Sequence, residues 1–197
     1  MMGARGRFVV LLGPDGCGKS AVVGELMDAL APEFAGVEAR HYHPRDVWGT
    51  GTPVVRPHAA HPRGRIASAL KLAYDVARFR RGHRRSVRPK VDAGEVVLFD
   101  RYFHDVLADP GRYRYGGPAW LARLAARLAP APDLFVVLDA PPAVLQARKH
   151  EVSAAESGEA RRAYLALARA LPRARVVDCA RPLPQVAADV AALVRAA

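Results

Sequence analysis

Cysteine is close to absent: Cys17 and Cys179 are the whole complement of a chain of 197 residues. Two thiols without a C-x-x-C spacing make neither a disulfide framework nor a structural zinc site, and they fit a reducing compartment. Long apolar runs are missing too. The longest, Leu134 to Leu138 and Val186 to Val194 with Asp189 interrupting it, fall well short of the roughly 20 residues that span a bilayer. After Arg5 and Arg7 comes a strand-length apolar run and a glycine loop, not a signal sequence with a small-residue cleavage site, so the cytoplasm is the expected location and no membrane is expected as a partner. Acidic residues are short relative to basic ones, 19 Asp and Glu against 30 Lys and Arg, for a formal charge of +11. Such a field attracts anions without specifying which. The sequence also lacks internal repeats, low-complexity tracts and any Ser/His/Asp nucleophile arrangement.

What is present is an alternation of two patterns. Short, continuous apolar segments at Phe8–Leu12, Val96–Phe99, Leu134–Leu138 and Arg175–Val177, with a weaker fifth at Val37–Tyr42, read as strands buried on both faces. Between them lie helical patterns at Lys19–Leu30, Ile66–Arg81, Pro118–Leu128, Pro142–Lys149, Glu156–Leu171 and Pro184–Arg195. Ser153 and Glu156 have capping-box spacing, which moves the start of the fifth helix to Ser153. Strands alternating with helices predict an α/β fold whose mostly parallel sheet is covered on both faces. The stretch from His43 to Pro62 is rich in Pro, Gly, His and Thr and is expected to be a long loop of functional kind.

One loop carries the first chemistry. Gly13-Pro14-Asp15-Gly16-Cys17-Gly18-Lys19-Ser20 satisfies G-x-x-x-x-G-K-[ST], follows a strand and opens a helix, which is the context a nucleotide-phosphate loop requires. Glycines let successive N–H groups turn inward, and the helix N-terminus adds its positive field. Lys19 is then expected on the β- and γ-phosphates of ATP and the Ser20 hydroxyl on Mg²⁺. Asp15 would be repelled by those phosphates. It therefore either points outward to the second substrate or is a solvated turn residue. Cys17 reads as a packing choice whose position near a helix N-terminus can acidify it.

The second signal is "EVVLFDRYFHD", in which a strand ends in Asp100, Arg101 and Tyr102. Ligands of open parallel sheets bind beyond the carboxyl ends of the strands. Asp100 suits the metal or its waters, and Arg101 suits a phosphate. Asp139, which ends the next apolar strand, is a rival for the metal, ranked below Asp100 because Ala-Pro-Pro rather than Arg-Tyr follows it.

These segments together resemble thymidylate kinases. "GPDGCGKS" is similar to that family's phosphate loop, "FDRY" to its Asp-Arg-Tyr motif, and "PDLFVVLDAPPAVLQARK" to the segment leading into its lid; the likeness runs from Phe8 to Val194. It implies a P-loop three-layer sandwich with a five-stranded sheet, ATP and Mg²⁺, and a small-molecule phosphoryl acceptor. It further implies a single domain over 1–197, with acceptor-side elements near 43–92 and a short lid near 147–158. In site residues it implies Asp15 facing the acceptor, Asp100 near metal and acceptor, Arg101 on the acceptor phosphate with Tyr102 beside it, and Arg148, with Lys149, as the lid cation. The resemblance is to a divergent member of that family. Where the family has Arg-Glu-Pro-Gly, this sequence reads "HPRDVWGTGTP", keeping Arg45 as an acceptor residue, and beyond "DRY" it continues through Phe103, His104 and Asp105 to "GRYRYGG".

The expected activity is transfer of the γ-phosphoryl group of ATP to a nucleoside monophosphate. A kinase of a nucleoside or another small metabolite is the alternative within the class. From Arg63 to Lys90 ten basic residues stand against the single acid Asp75. That block is either a solvated helix face or a footprint for nucleic acid, and a nucleic-acid-binding ATPase is the alternative of another class. It is disfavoured because no water-positioning Glu or Gln stands beside the metal strand. A protein that binds nucleotide without turning it over is a third reading, and a homodimer is left open. His41, His43, His58 and His61 lack the spacing of a metal site. Tyr113 and Tyr115, interleaved with Arg112 and Arg114, either stack on a base and clamp a phosphate or form an exposed turn.

Overall fold

The computed structural model describes residues 5–41, 61–148 and 154–197. Most of the expected loop, with His43, Arg45 and His58, lies outside the described residues, as do Lys149, Ser153 and the middle of the expected lid.

The chain forms β1 (Arg7–Leu12), α1 (Lys19–Leu30), β2 (Gly36–His41), α2 (Arg65–Gly82), a π-helical turn (His83–Val87), α3 (Arg88–Asp92), β3 (Glu95–Asp100) and α4 (Asp105–Ala108). There follow α5 (Ala119–Leu128), β4 (Leu134–Asp139), α6 (Pro142–Arg148), α7 (Ala154–Ala170), β5 (Ala174–Asp178) and α8 (Leu183–Ala196). The five strands pair in the order β2-β3-β1-β4-β5. Every pairing is parallel, so the sheet is wholly rather than mostly parallel.

The apolar strands are continuous because each has two buried faces. Phe8, Val10 and Leu12 of β1 join a core with Leu72, Val76 and Phe79 of α2, Ala122 and Ala125 of α5, and Tyr164 and Leu167 of α7. The alternate residues Val9 and Leu11 join a second core with Val22, Leu26 and Leu30 of α1 and Val186, Val190 and Val194 of α8. Two cores separated by one sheet make the three-layer sandwich. The edge strands β2 and β5 are only partly buried, which explains the weaker apolar signal of β2.

The alignment of strand ends locates the site. Leu11 pairs with Asp100 and with Val136, and Asp139 with Asp178. β3 and β4 flank β1 on opposite sides, so a crevice opens at the carboxyl end of β1, where ligands of such sheets collect. The phosphate loop and the two strand-end aspartates therefore share one rim. Gly82 and Pro89 conceal the continuation of α2: the chain passes through the π-helical turn into α3, where Pro89 occupies a first-turn position that needs no N–H donor.

Candidate active site

The loop's glycines are required by geometry. Gly13 has φ of 146° and Gly16 of 85°. A Cβ on either would lie 2.6 Å from a backbone oxygen, that of Leu138 for Gly13 and that of Leu145 for Gly16. Lys19 is only 7% exposed. Its ammonium donates to the carbonyls of Gly13 at 2.8 Å and Pro14 at 2.9 Å, and to Cys17 Sγ at 3.3 Å. The lysine thus staples the loop closed from within. α1 has no side-chain cap and no acid in its first turn, which leaves its positive end directed at the loop's concavity. Cys17 lies buried beneath. A hydrogen bond from Cys179 lowers its thiol to about 6 against the opposing effect of burial, with Lys19 assisting.

Across the loop, Ser20 Oγ donates to Asp100 Oδ2 at 2.7 Å, and His41 Nδ1 lies 3.4 Å from the same oxygen. Burial alone would raise the Asp100 carboxyl. The His41 hydrogen bond, the Lys19 charge and the Ser20 hydroxyl override it and hold the carboxyl at about 2. Asp100 Oδ1 is buried without a hydrogen-bond partner. A hydroxyl beside an ionised carboxylate with an uncommitted oxygen is a hard-oxygen donor set, and it fits Mg²⁺. Asp139 differs: Arg161 of α7 clamps both its oxygens at 2.8 Å. Asp100 is therefore the strand-end acid aligned with Ser20, and Asp139 is committed to an ion pair.

The third element is an arginine pair on one carboxylate. Arg101 follows β3 with φ of 70°, an unusual conformation for a non-glycine residue. Its side chain is 7% exposed, and its guanidinium binds Asp15, approaches Asp105 Oδ1 at 3.5 Å and donates to Tyr164 Oη at 3.4 Å. The second oxygen of Asp15 takes Arg112, whose Nε also reaches Asp109 at 3.4 Å. Asp15 thus stands between two guanidiniums at the rim of the loop.

One expected site residue is placed elsewhere. Tyr102 was expected on the acceptor, but its ring packs edge-on against Phe8, Phe79 and Phe99 in the core, and its hydroxyl donates to the Pro130 carbonyl at 2.8 Å. The left-handed turn at Arg101 sends consecutive side chains to opposite sides. Arg148, at the end of α6, donates to the Cys179 carbonyl at 2.9 Å. Residues not singled out from the sequence are Tyr164, Arg161 and the link from Arg112 to Asp15. Their partners lie 59, 22 and 97 residues away along the chain, and no local spacing signals them. Beside this cluster a cavity opens, lined by Arg63, Ser68, Lys71, Asp75, Phe103 and Tyr113 among others.

Among the described residues no helix is long and apolar enough to cross a membrane. No protein-family model matches the chain. Whole-length relatives do. A thymidylate kinase of Leifsonia xyli subsp. xyli is 34% identical over 203 residues, covering 94% of this chain and 92% of its own. A probable thymidylate kinase of Pyrobaculum aerophilum is 31% identical, with 95% and 96% covered, and a thymidylate kinase of Bordetella petrii is 32% identical, with 99% and 98% covered. With its all-parallel five-stranded sheet and its phosphate loop, the chain belongs to the thymidylate kinase family.

Proposed function

We propose that this protein transfers the γ-phosphoryl group of ATP to a nucleoside monophosphate, with thymidylate as the first acceptor to test, since its relatives are named for that reaction. One observation carries the reading: the phosphate loop and the Arg101–Arg112 pair meet at Asp15, so cationic groups flank both sides of a single crevice. Lys19 and the loop amides hold the donor phosphates. Arg101 and Arg112 take the acceptor phosphate, which accepts the guanidinium hydrogen bonds that Asp15 now receives. Ser20 and Asp100 would hold Mg²⁺, which would supply charge neutralisation on phosphate oxygens. An acceptor phosphate oxygen attacks the γ-phosphorus in line while the bond to the β–γ bridging oxygen breaks, giving ADP and a nucleoside diphosphate. Arg45 is assigned to the acceptor side and Arg148, with Lys149, to a lid near 147–158, in one catalytic unit over 1–197. The cytoplasm is the proposed site of action.

Labelled ATP with Mg²⁺ and a panel of acceptors tests this. Label should appear in thymidine diphosphate or another nucleoside diphosphate. Label passing to thymidine, to another hydroxyl compound, or only to inorganic phosphate overturns the acceptor assignment.

The working form is proposed to be a homodimer. On α2, Ile66, Leu70 and Tyr74 are 79%, 68% and 58% exposed, and on the neighbouring α5 Trp120 and Leu124 are 63% and 46% exposed. Both sets recur every four residues, which makes apolar stripes turned away from the sheet. Leu70→Glu is expected to halve the mass measured by light scattering while leaving the circular dichroism spectrum unchanged. A wild-type chain running at its monomer mass of 21.3 kDa removes the proposal.

A further inference from the structure

The basic block of α2 and its continuation is only partly absorbed by the site above. Lys71 pairs with Asp75, Arg88 with Asp92, and Lys90 with Glu38 and Glu95. Arg63 lines the cavity beside the Asp15 cluster. Arg80 and Arg84 go somewhere else. With His83, Arg127 and the 128–131 segment they line an open cleft of about 330 Å³.

Its place in the fold is the end of the sheet opposite the phosphate loop. The His83 ring lies 5.3 Å from that of Phe8, near the start of β1. Ala129 to Ala131 lead toward Asp133, which is hydrogen-bonded to Phe8 in both directions. A strand of six residues separates the two ends, about 20 Å at the usual rise per residue.

The lining is cationic: Arg80, Arg84, Arg127 and His83 contribute to the wall, and none of the described residues that form it is acidic, although the carboxylates of Asp133 and Asp92 act on His83 from outside it. Arg80 donates to the Leu128 carbonyl at 3.3 Å and so satisfies the end of α5. That accounts for one arginine. Arg84 and Arg127 make no ion pair among the described residues. The π-helical turn begins at His83, so the helix departs from regular geometry where it meets the cleft, and such departures gather at functional sites. His83 Nδ1 is buried without a hydrogen-bond partner among the described residues.

We propose that this cleft is a second anion site, separate from the phosphate loop, which binds a small compound carrying two or more phosphoryl groups. The volume of about 330 Å³ is that of a small-ligand pocket and accommodates a compact anion. Arginine forks match phosphate oxygens bidentately.

Calorimetric titration of the full chain with inorganic tripolyphosphate tests this, using wild type, Lys19→Ala and the double variant Arg84→Ser/Arg127→Ser. Wild type should show two sites. Lys19→Ala should keep one, and adding Arg84→Ser/Arg127→Ser to it should weaken that one by at least about tenfold. The double variant alone should retain its melting temperature and its KM for ATP, since both arginines are exposed and unpaired. Absence of binding to Lys19→Ala, or binding indifferent to Arg84 and Arg127, overturns the proposal. So does a double variant that loses affinity for a single-stranded oligonucleotide while keeping it for tripolyphosphate, which would make the patch a nucleic-acid contact.

Discussion

Lys19→Ala is expected to lower kcat/KM for phosphoryl transfer by about a thousandfold, or ~4 kcal/mol of transition-state stabilisation. Two losses combine. The ammonium is the positive charge inside the loop, where burial makes it worth more than in water. It also bonds the carbonyls of Gly13 and Pro14, so its removal frees the loop that orders the donor phosphates. A second readout separates this from general damage. Lys19 contributes to the lowering of both Cys17 and Asp100, so the Cys17 thiol should titrate higher once the ammonium is gone. Thiol absorbance against pH measures that shift. A variant within tenfold of wild type, with an unmoved thiol, would refute the role given to Lys19.

Lys19 also illustrates what was legible in the sequence. The loop is contiguous, its residue types are dictated by backbone geometry, and it could be read without the fold. The strands could be read for a related reason: burial on both faces makes each a continuous apolar run. β2 was faint because an edge strand with partly exposed faces needs fewer apolar residues. The π-helical turn and α3 were hidden because Gly82 and Pro89 punctuate the pattern, although Pro89 falls at the start of a helix where it does no harm. Tyr102 is adjacent to Arg101 along the chain but not in space, because its ring turns into the core. The partners of Asp15 lie 86 and 97 residues away, and only the strand order β2-β3-β1-β4-β5 brings the three together. Charge pairs of this sort have no local spacing to betray them.

Arg101→Ala is expected to cost about 3–5 kcal/mol of folding stability, the usual consequence of removing one partner from a buried ion pair. The Asp105 side chain is fully buried. It accepts from Tyr164 Oη at 2.5 Å and from the Tyr102 amide at 2.8 Å, and Arg101 is the cation beside it. Burial already raises the Asp105 carboxyl, with Arg101 the first of the groups that oppose the rise. Without the guanidinium that carboxyl rises further. An acid whose folded pKa exceeds its unfolded one binds more protons when folded, so stability falls as pH climbs between the two values. The deficit of Arg101→Ala should therefore be full at neutral pH and shrink as the pH is lowered toward the unfolded carboxyl value of about 4. Asp100 behaves in the opposite sense: held at about 2, it stabilises the fold above the unfolded value and loses that contribution as pH falls through its folded value. Urea unfolding is best compared above pH ~4.5, where Asp100 is silent in both proteins. Arg101→Lys should restore part of the stability by keeping a charge near Asp105, yet raise the KM of the acceptor because an ammonium lacks the planar fork. A deficit under about 1 kcal/mol, or one that is constant from pH ~5 to ~8, would mean that Arg101 does not carry the buried charge balance argued for it.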